Sequence, residues 1–284
     1  MAETLETEHA AGARRKEEAL VSWLRERSPV LLGFSGGVDS AYLGCIAVET
    51  LGAEEVLAVI GTSPSYPAEQ WATAREVAER VGLPILEIDT HEMDDPRYAA
   101  NPTNRCYFCK SELWTLLERV AAERGFTTIL DGANADDRTD WRPGAKAAAE
   151  HSVRSPLAEV GLTKAEIRFL SRARGLPTWA KPSSPCLSSR LPYGTPVTAP
   201  RLRQVERAEE ALRELGVLGD LRVRHHGDLA RVELDRRELD EWLEPSRLAS
   251  LGAAVAAAGF RRVSVDLRGF RSGSLNVLGG VGTV

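Results

Sequence analysis

PVLLGFSGGVDSAYLGCIAVETLG, residues 29–52, decides the architecture. Pro29 to Phe34 is an apolar run of strand length, SGGVDS at 35–40 interrupts it, and AYLGCIAVETLG reads as a helix ended by Gly52. Working outward, VLAVIG (56–61), PILEID (84–89) and TTILDG (127–132) are further strands, and VRSPL (153–157) is a short fifth candidate. Between them the spacing predicts helices. Leu20, Trp23 and Leu24 stripe residues 16–27; Trp71, Ala74, Ala78 and Val81 share one face; so do Leu113, Leu116, Leu117 and Val120. Thr163 and Glu166 form a capping box for a helix over 164–174 that stops at Gly175. Strand–helix alternation predicts a doubly wound parallel α/β sheet, which binds ligands beyond the carboxyl ends of its strands.

Residues 180–200 are Pro-rich and lack periodicity, so they read as a long functional loop or linker. After it, a helix near 201–215, LRVRHH, LARVEL and RRVSVDL suggest a small α+β domain. Met1 to Arg15 is polar and lacks a hydrophobic signal core, which predicts a disordered tail on a cytoplasmic protein. No apolar run approaches the ~20 residues of a membrane helix. The formal net charge of −5 argues against a long nucleic-acid partner.

SGGVDS between strand and helix is an anion cradle. Gly36 and Gly37 let backbone N–H groups approach a phosphate, with Val38 in the same loop; the N-terminus of the helix that follows adds partial positive charge, and Ser35 and Ser40 can donate hydroxyls. Asp39 is out of place beside an anion unless it binds Mg²⁺ that bridges to phosphate. There is no Walker lysine. The run resembles the PP-loop of the ATP pyrophosphatase superfamily, a HUP-like fold whose members cleave ATP between the α and β phosphates. Asn134, Asp136 and Asp137 follow the fourth strand, where such residues hold Mg²⁺, contact ribose or cap a turn.

Of four cysteines, Cys45 falls among Leu43, Ile46 and Val48 and reads as a packed core thiol. Cys106 and Cys109 form a C-x-x-C at a helix start, and Cys186 lies in the Pro-rich loop. The pair alone fits half a zinc site, a redox dithiol or chance. Three thiolates on an iron–sulfur cube leave one iron open for a sulfide or a substrate, and a persulfide relay is the alternative.

Taken together, NPTNRCYFCK, GANADDRTDWRPG, VRSPLAEVGLTKAEIR, KPSSPCLSSRLPYGTPVT and LRVRHHGDLARVEL resemble the LarE family of ATP-dependent sulfur transferases over roughly residues 16–280. The resemblance implies a small-molecule substrate, pyridinium-3,5-biscarboxylic acid mononucleotide, whose carboxylates are adenylated and converted to thiocarboxylates for the nickel-pincer cofactor of lactate racemase. It implies ATP and Mg²⁺ as cofactors, Asp39 on the metal, and a homo-oligomer, a hexamer within the family. Cys186 matches a cysteine that some members sacrifice as sulfur donor. Cys106 and Cys109 place this chain with the members in which all three hold a [4Fe–4S] cluster. Arg222 and Arg224, on one strand face, and Arg190 resemble the residues that bind substrate phosphate. The expected domains are a PP-loop pyrophosphatase domain over 16–180, a Cys-bearing linker over 181–200, and a substrate and oligomerisation domain over 201–284. The sulfur source is not readable. Rivals are a tRNA-thiolating PP-loop enzyme, an NAD or GMP synthetase-like amidotransferase and an adenosine-binding module. They predict respectively a basic face, no use for the thiols, and no need of SGGVDS.

Overall fold

In the computed structural model, β1 (Val30–Gly33) is an inner strand of a parallel sheet because Val30, Leu31 and Leu32 are apolar on both faces and fully buried. The described residues are 2–139, 143–182 and 184–271. Parts of the expected tail (Met1), of GANADDRTDWRPG (140–142), of the Pro-rich loop (Ser183) and of the C-terminal domain (272–284) lie outside them.

The chain divides into two units: 1–63, 68–92 and 106–184, then 64–67, 93–105 and 185–284. In the first, α1 (Ala2–Arg25) precedes β1, followed by α2 (Val38–Leu51), β2 (Val56–Thr62), α3 (Ala68–Val81) and β3 (Ile85–Asp89). A single turn, α4 (Pro96–Ala99), belongs to the second unit; α5 (Arg105–Arg124), β4 (Thr128–Leu130), α6 (Pro143–Glu150), α7 (Pro156–Glu159) and α8 (Lys164–Ala173) complete the first. The sheet order is β3-β2-β1-β4, all parallel, with Leu31 opposite Leu57 and Ile129. After β3 the chain returns to the far side of β1. The crevice between β1 and β4 is therefore the switch point at which such sheets bind ligands, and SGGVDS and the Asn134 turn follow its two strands.

Leu31, Leu57 and Val59 pack with Trp114, Leu117 and Ala121 of α5 and with Ala147 and Ala148 of α6. Leu32 faces the opposite way, toward Gly44 of α2. Helices on two faces make the sheet doubly wound, as the alternation predicts.

Three expectations need correction. VRSPL is not a strand: Leu130 and Arg154 form one isolated bridge, because Pro156 lacks an N–H and starts α7. The tail is helical from Ala2. Its Ala- and Glu-rich composition favours helix, and tertiary contacts anchor the helix: Ala13 is fully buried, Lys16 pairs with Glu166 at 2.7 Å, and Glu17 accepts from Tyr42 at 2.6 Å. The face of α3 is turned slightly, with Gln70, Ala74, Val77 and Ala78 buried and Trp71 and Val81 half-buried.

In the second unit, α9 (Ala199–Glu214) packs on β5 (Leu221–His226), antiparallel to β6 (Leu229–Leu234). After α10 (Arg236–Trp242) and α11 (Pro245–Ala257), β7 (Arg262–Val265) adds parallel to β6. The boundaries differ from those expected. Residues 64–67 and 93–105 join this unit, and so does the chain from Pro185 onward, Cys186 included, rather than forming a linker. Among the described residues, no helix is long and apolar enough to cross a membrane.

Candidate functional site

The phosphate loop is built from backbone. Gly36 takes φ +64°, and a Cβ there would stand 2.5 Å from the Ala74 Cβ. Only glycine lets the loop lie this close to α3. Gln70 secures the approach, its Nε2 donating to the Ser35 carbonyl at 2.9 Å, which is why a glutamine is buried on that helix. The Ser35 and Ser40 hydroxyls are 3.2 Å apart. Gly37 N-caps α2 with no side-chain acceptor, so the first-turn N–H groups are left for an anion. The loop thus fits nucleotide phosphates in shape and donor chemistry.

Across the switch point, Gly132 approaches so closely that a Cβ would lie 3.1 Å from the Ser40 nitrogen. The next turn holds itself by side-chain caps. Asp136 N donates to Asn134 Oδ1 at 2.9 Å, Asn134 N donates to Asp137 Oδ2 at 3.0 Å, and Asp136 accepts from Lys164 N at 2.8 Å, at the start of α8. Asn134, 3% exposed, reaches Asp39 at 3.4 Å. The unexpected member is Lys164, whose ammonium pairs with Asp39 Oδ2. Lys164 thus neutralises the carboxylate beside the cradle, presented there because the Thr163–Glu166 capping box fixes the start of α8.

Cys106 and Cys109 occupy the first turn of α5, the former exposed and the latter half-buried. As the crossover helix between β3 and β4, α5 begins on the carboxyl edge of the sheet. Cys45 is the inert thiol expected: 5% exposed, donating to Glu49 at 3.3 Å, and pushed up to about 12 by burial and then by Glu49. Among the described residues, no group of three or more His, Cys, Asp or Glu side chains is placed to hold a metal ion. Cys106 and Cys109 belong to the first unit and Cys186 to the second.

Cys186, half-buried, caps a 3₁₀ turn over Leu187–Arg190. Arg190, 3% exposed, makes a bidentate pair with Glu209 at 3.0 and 2.8 Å, and its Nη1 donates to the Pro185 and Cys186 carbonyls. Burial opposes its charge, yet Glu209 outweighs burial and its pKa is raised. Arg190, expected as a phosphate ligand, braces the cysteine loop in this structure. Glu209 also accepts from Val223 N of β5 at 2.8 Å. On the same strand, Arg224 pairs with the buried Glu233 at 2.8 Å and donates to the Ser189 carbonyl at 3.0 Å. Arg222, 6% exposed, stacks on Phe270 at 4.9 Å, and burial, followed by the charge of Arg190, drives its pKa down to about 10.

Several contributors escape sequence reasoning. Gln70, Lys164 and Glu209 look like ordinary helix-surface residues, and Asn101 and Arg105 precede the cysteine pair without forming a motif. Lys181 ends in a sealed ammonium with no hydrogen-bond partner among the described residues; burial lowers its pKa against the opposing pull of Glu69. The one available signal was position, since Asn101, Arg105 and Lys181 all lie within the strings that carry the resemblance.

Comparison with known proteins gives four findings. A family model for NAD synthase matches residues 18–103. Over 261 residues, the chain is 35% identical to the pyridinium-3,5-bisthiocarboxylic acid mononucleotide synthase of Lactiplantibacillus plantarum, covering 92% of this chain and 94% of that protein. It is 42% identical to an uncharacterized protein of Synechocystis (92% and 97% covered), and 24% identical to an NH₃-dependent NAD⁺ synthetase of Finegoldia magna over 56% of this chain and 68% of that one.

Proposed function

The chain belongs to the LarE family, that of the pyridinium-3,5-bisthiocarboxylic acid mononucleotide synthase, and on that premise we propose that it is the ATP-dependent sulfur transferase acting on pyridinium-3,5-biscarboxylic acid mononucleotide. One observation carries the reading: within the second unit, the loop bearing Cys186 is braced through Arg190 and Ser189 to the arginine cluster on β5. A thiol is thereby tied to a site suited to a nucleotide's phosphate. The NAD synthase match ends at residue 103, before the cysteine pair and this loop.

The chemistry starts with a substrate carboxylate oxygen attacking the α-phosphorus of ATP. The P–O bond to the β-phosphate breaks, pyrophosphate leaves, and an acyl-adenylate forms. Ser35 to Ser40 hold the phosphates through N–H groups and hydroxyls, stabilising charge that builds on the leaving group. Lys164 supplies a cation one hydrogen bond from Asp39, and Asp39 would hold Mg²⁺ once ATP phosphates compete for Lys164. Asn134, Asp136 and Asp137 shape the nucleotide edge of that crevice. Arg222 takes the substrate phosphate, with Arg224 beside it. A sulfur nucleophile then adds to the acyl carbon and AMP departs, a better leaving group than oxide from a bare carboxylate.

The sulfur comes by way of Cys106, Cys109 and Cys186. Their donor chemistry suits a [4Fe–4S] cluster, which would supply an open iron for an extra sulfide; the described residues do not gather the three as one ligand group, and no step here passes through a cluster. In the sacrificial route, the Cys186 thiolate attacks the acyl carbon and AMP leaves. Loss of the Cα proton with cleavage of Cβ–Sγ then gives thiocarboxylate and dehydroalanine. The presence of a C-x-x-C in the chain in addition to Cys186 favours the catalytic route, with sulfide delivered from outside. The exposed thiol of Cys106 suits a reducing cytoplasm, and the family relation favours a homo-oligomer.

The test is anaerobic turnover with ATP and the nucleotide, following pyrophosphate, thiocarboxylate, and iron and sulfide content. Cys186→Ala is expected to release pyrophosphate and form no thiocarboxylate; thiocarboxylate from that variant would sink the reading. Several sulfurs per chain assign the catalytic route, whereas one per chain, with Cys186 lighter by H₂S, assigns the sacrificial one.

A further inference from the structure

Residues 187–197 carry the business end of the Cys186 loop with no regular structure beyond one 3₁₀ turn. What holds them is a short upstream segment of the same unit. Asn101 is fully buried at φ +55°, a conformation that asparagine tolerates better than most residues. Its side-chain amide donates to the carbonyls of Pro192 at 2.8 Å and Thr195 at 2.9 Å, with Leu191 at 3.4 Å, and its own carbonyl accepts from Gly194 N at 2.9 Å. Arg105, 5% exposed, donates through one nitrogen to Asn101 Oδ1 and to the Ser188 carbonyl at 3.0 Å. The Tyr98 and Ser188 hydroxyls meet at 2.7 Å, Val197 N donates to the Ala99 carbonyl at 2.8 Å, and Leu187 N donates to the Ser65 carbonyl at 2.8 Å.

Each end of the loop's turn is therefore pinned by a buried polar group whose loss would leave the buried Ser188 and Leu191 carbonyls, and the half-buried Pro192 and Thr195 carbonyls, without their donors. Arg190 braces Cys186 from the β5 side; the Asn101–Arg105 pair braces the residues after it from the other. We infer that Asn101 and Arg105 are positioning residues for sulfur transfer, holding the 187–197 loop so that Cys186 keeps a single direction. Neither touches the reacting atoms. The inference rests on the proposed role of Cys186 in delivering sulfur.

Asn101→Gly is the informative variant, because glycine accepts the same φ while removing every side-chain hydrogen bond. In the full-length protein it is expected to release pyrophosphate at the wild-type rate while thiocarboxylate formation falls roughly 100-fold, the scale of an ångström-sized misplacement of a reacting group. Alkylation of Cys186 by iodoacetamide should quicken as the loop loosens, with Cys106 unchanged. Arg105→Lys, which keeps a cationic donor, should lose less than Arg105→Ala. Unchanged thiocarboxylate formation in Asn101→Gly overturns the inference, and so does a parallel fall in pyrophosphate release, which would mark a general structural role. The alkylation rates judge the clamp even if Cys186→Ala shows that sulfur is delivered by another group.

Discussion

The phosphate loop of the first unit and the arginine cluster of the second are both suited to anions, yet they are built from opposite materials. Ser35 to Ser40 use backbone N–H groups, a helix end and close glycine approach; Arg190, Arg222 and Arg224 use long buried side chains, with Arg190 held by Glu209, Arg224 by Glu233 and Arg222 stacked on Phe270. A backbone cradle carries no net charge and costs little when empty. Buried guanidinium groups must be compensated at all times, because an unpaired charge in the interior costs several kcal/mol. The difference explains why the first site is six consecutive residues and the second draws on a loop, a helix and two strands.

The comparison breaks most visibly at Glu233, which is 1% exposed and pairs with both Arg224 and Arg231. Glu233→Ala should destabilise the protein by about 3–5 kcal/mol, measured by urea unfolding; a loss near zero would mean that the cluster is not held by its carboxylates. Next is Gly36→Ala, where positive φ and the Ala74 contact together should cost about 2–4 kcal/mol and suppress pyrophosphate release. An unaffected rate would refute the backbone cradle.

Arg222→Met should leave stability unchanged or slightly improved, since burial already disfavours the charge that is removed, and should weaken substrate binding by about 1.5–3 kcal/mol. Because Arg222 sits near 10 rather than at the ordinary arginine value, substrate affinity in the wild type should be flat from neutral pH and decline as pH rises through about 10. A decline of the same size and midpoint in Arg222→Met would move that effect to another group. The smallest effect concerns Cys45, raised to about 12: at pH 8 its alkylation in the native protein should be negligible beside that of exposed Cys106, and rapid labelling would show that α2 opens.

Legibility followed locality. SGGVDS, the Thr163–Glu166 capping box and the glycine stop at 175 are specified by residues within a few positions of one another, and the structure keeps them. The pairing of Arg190 is not legible because its partner Glu209 lies a helix away, nor is that of Asp39, because Lys164 comes from another element entirely. VRSPL has strand composition, but its proline ends pairing after one bridge. The N-terminal segment looked like a tail because nothing local shows that Lys16 and Glu17 will find Glu166, Tyr42 and Arg174.

By itself the sequence determined the parallel α/β sheet, the SGGVDS loop on its carboxyl edge, the packed setting of Cys45 and the family. Each rests on periodicity, on backbone freedom at particular glycines or on long matching strings. Only the tertiary structure decided that Lys164 neutralises Asp39, that Arg190 braces a loop, and that Asn101 and Arg105 clamp the segment after Cys186. Those are bonds between buried polar groups far apart in the chain, and burial, which gives them their strength, exists only once the chain has folded.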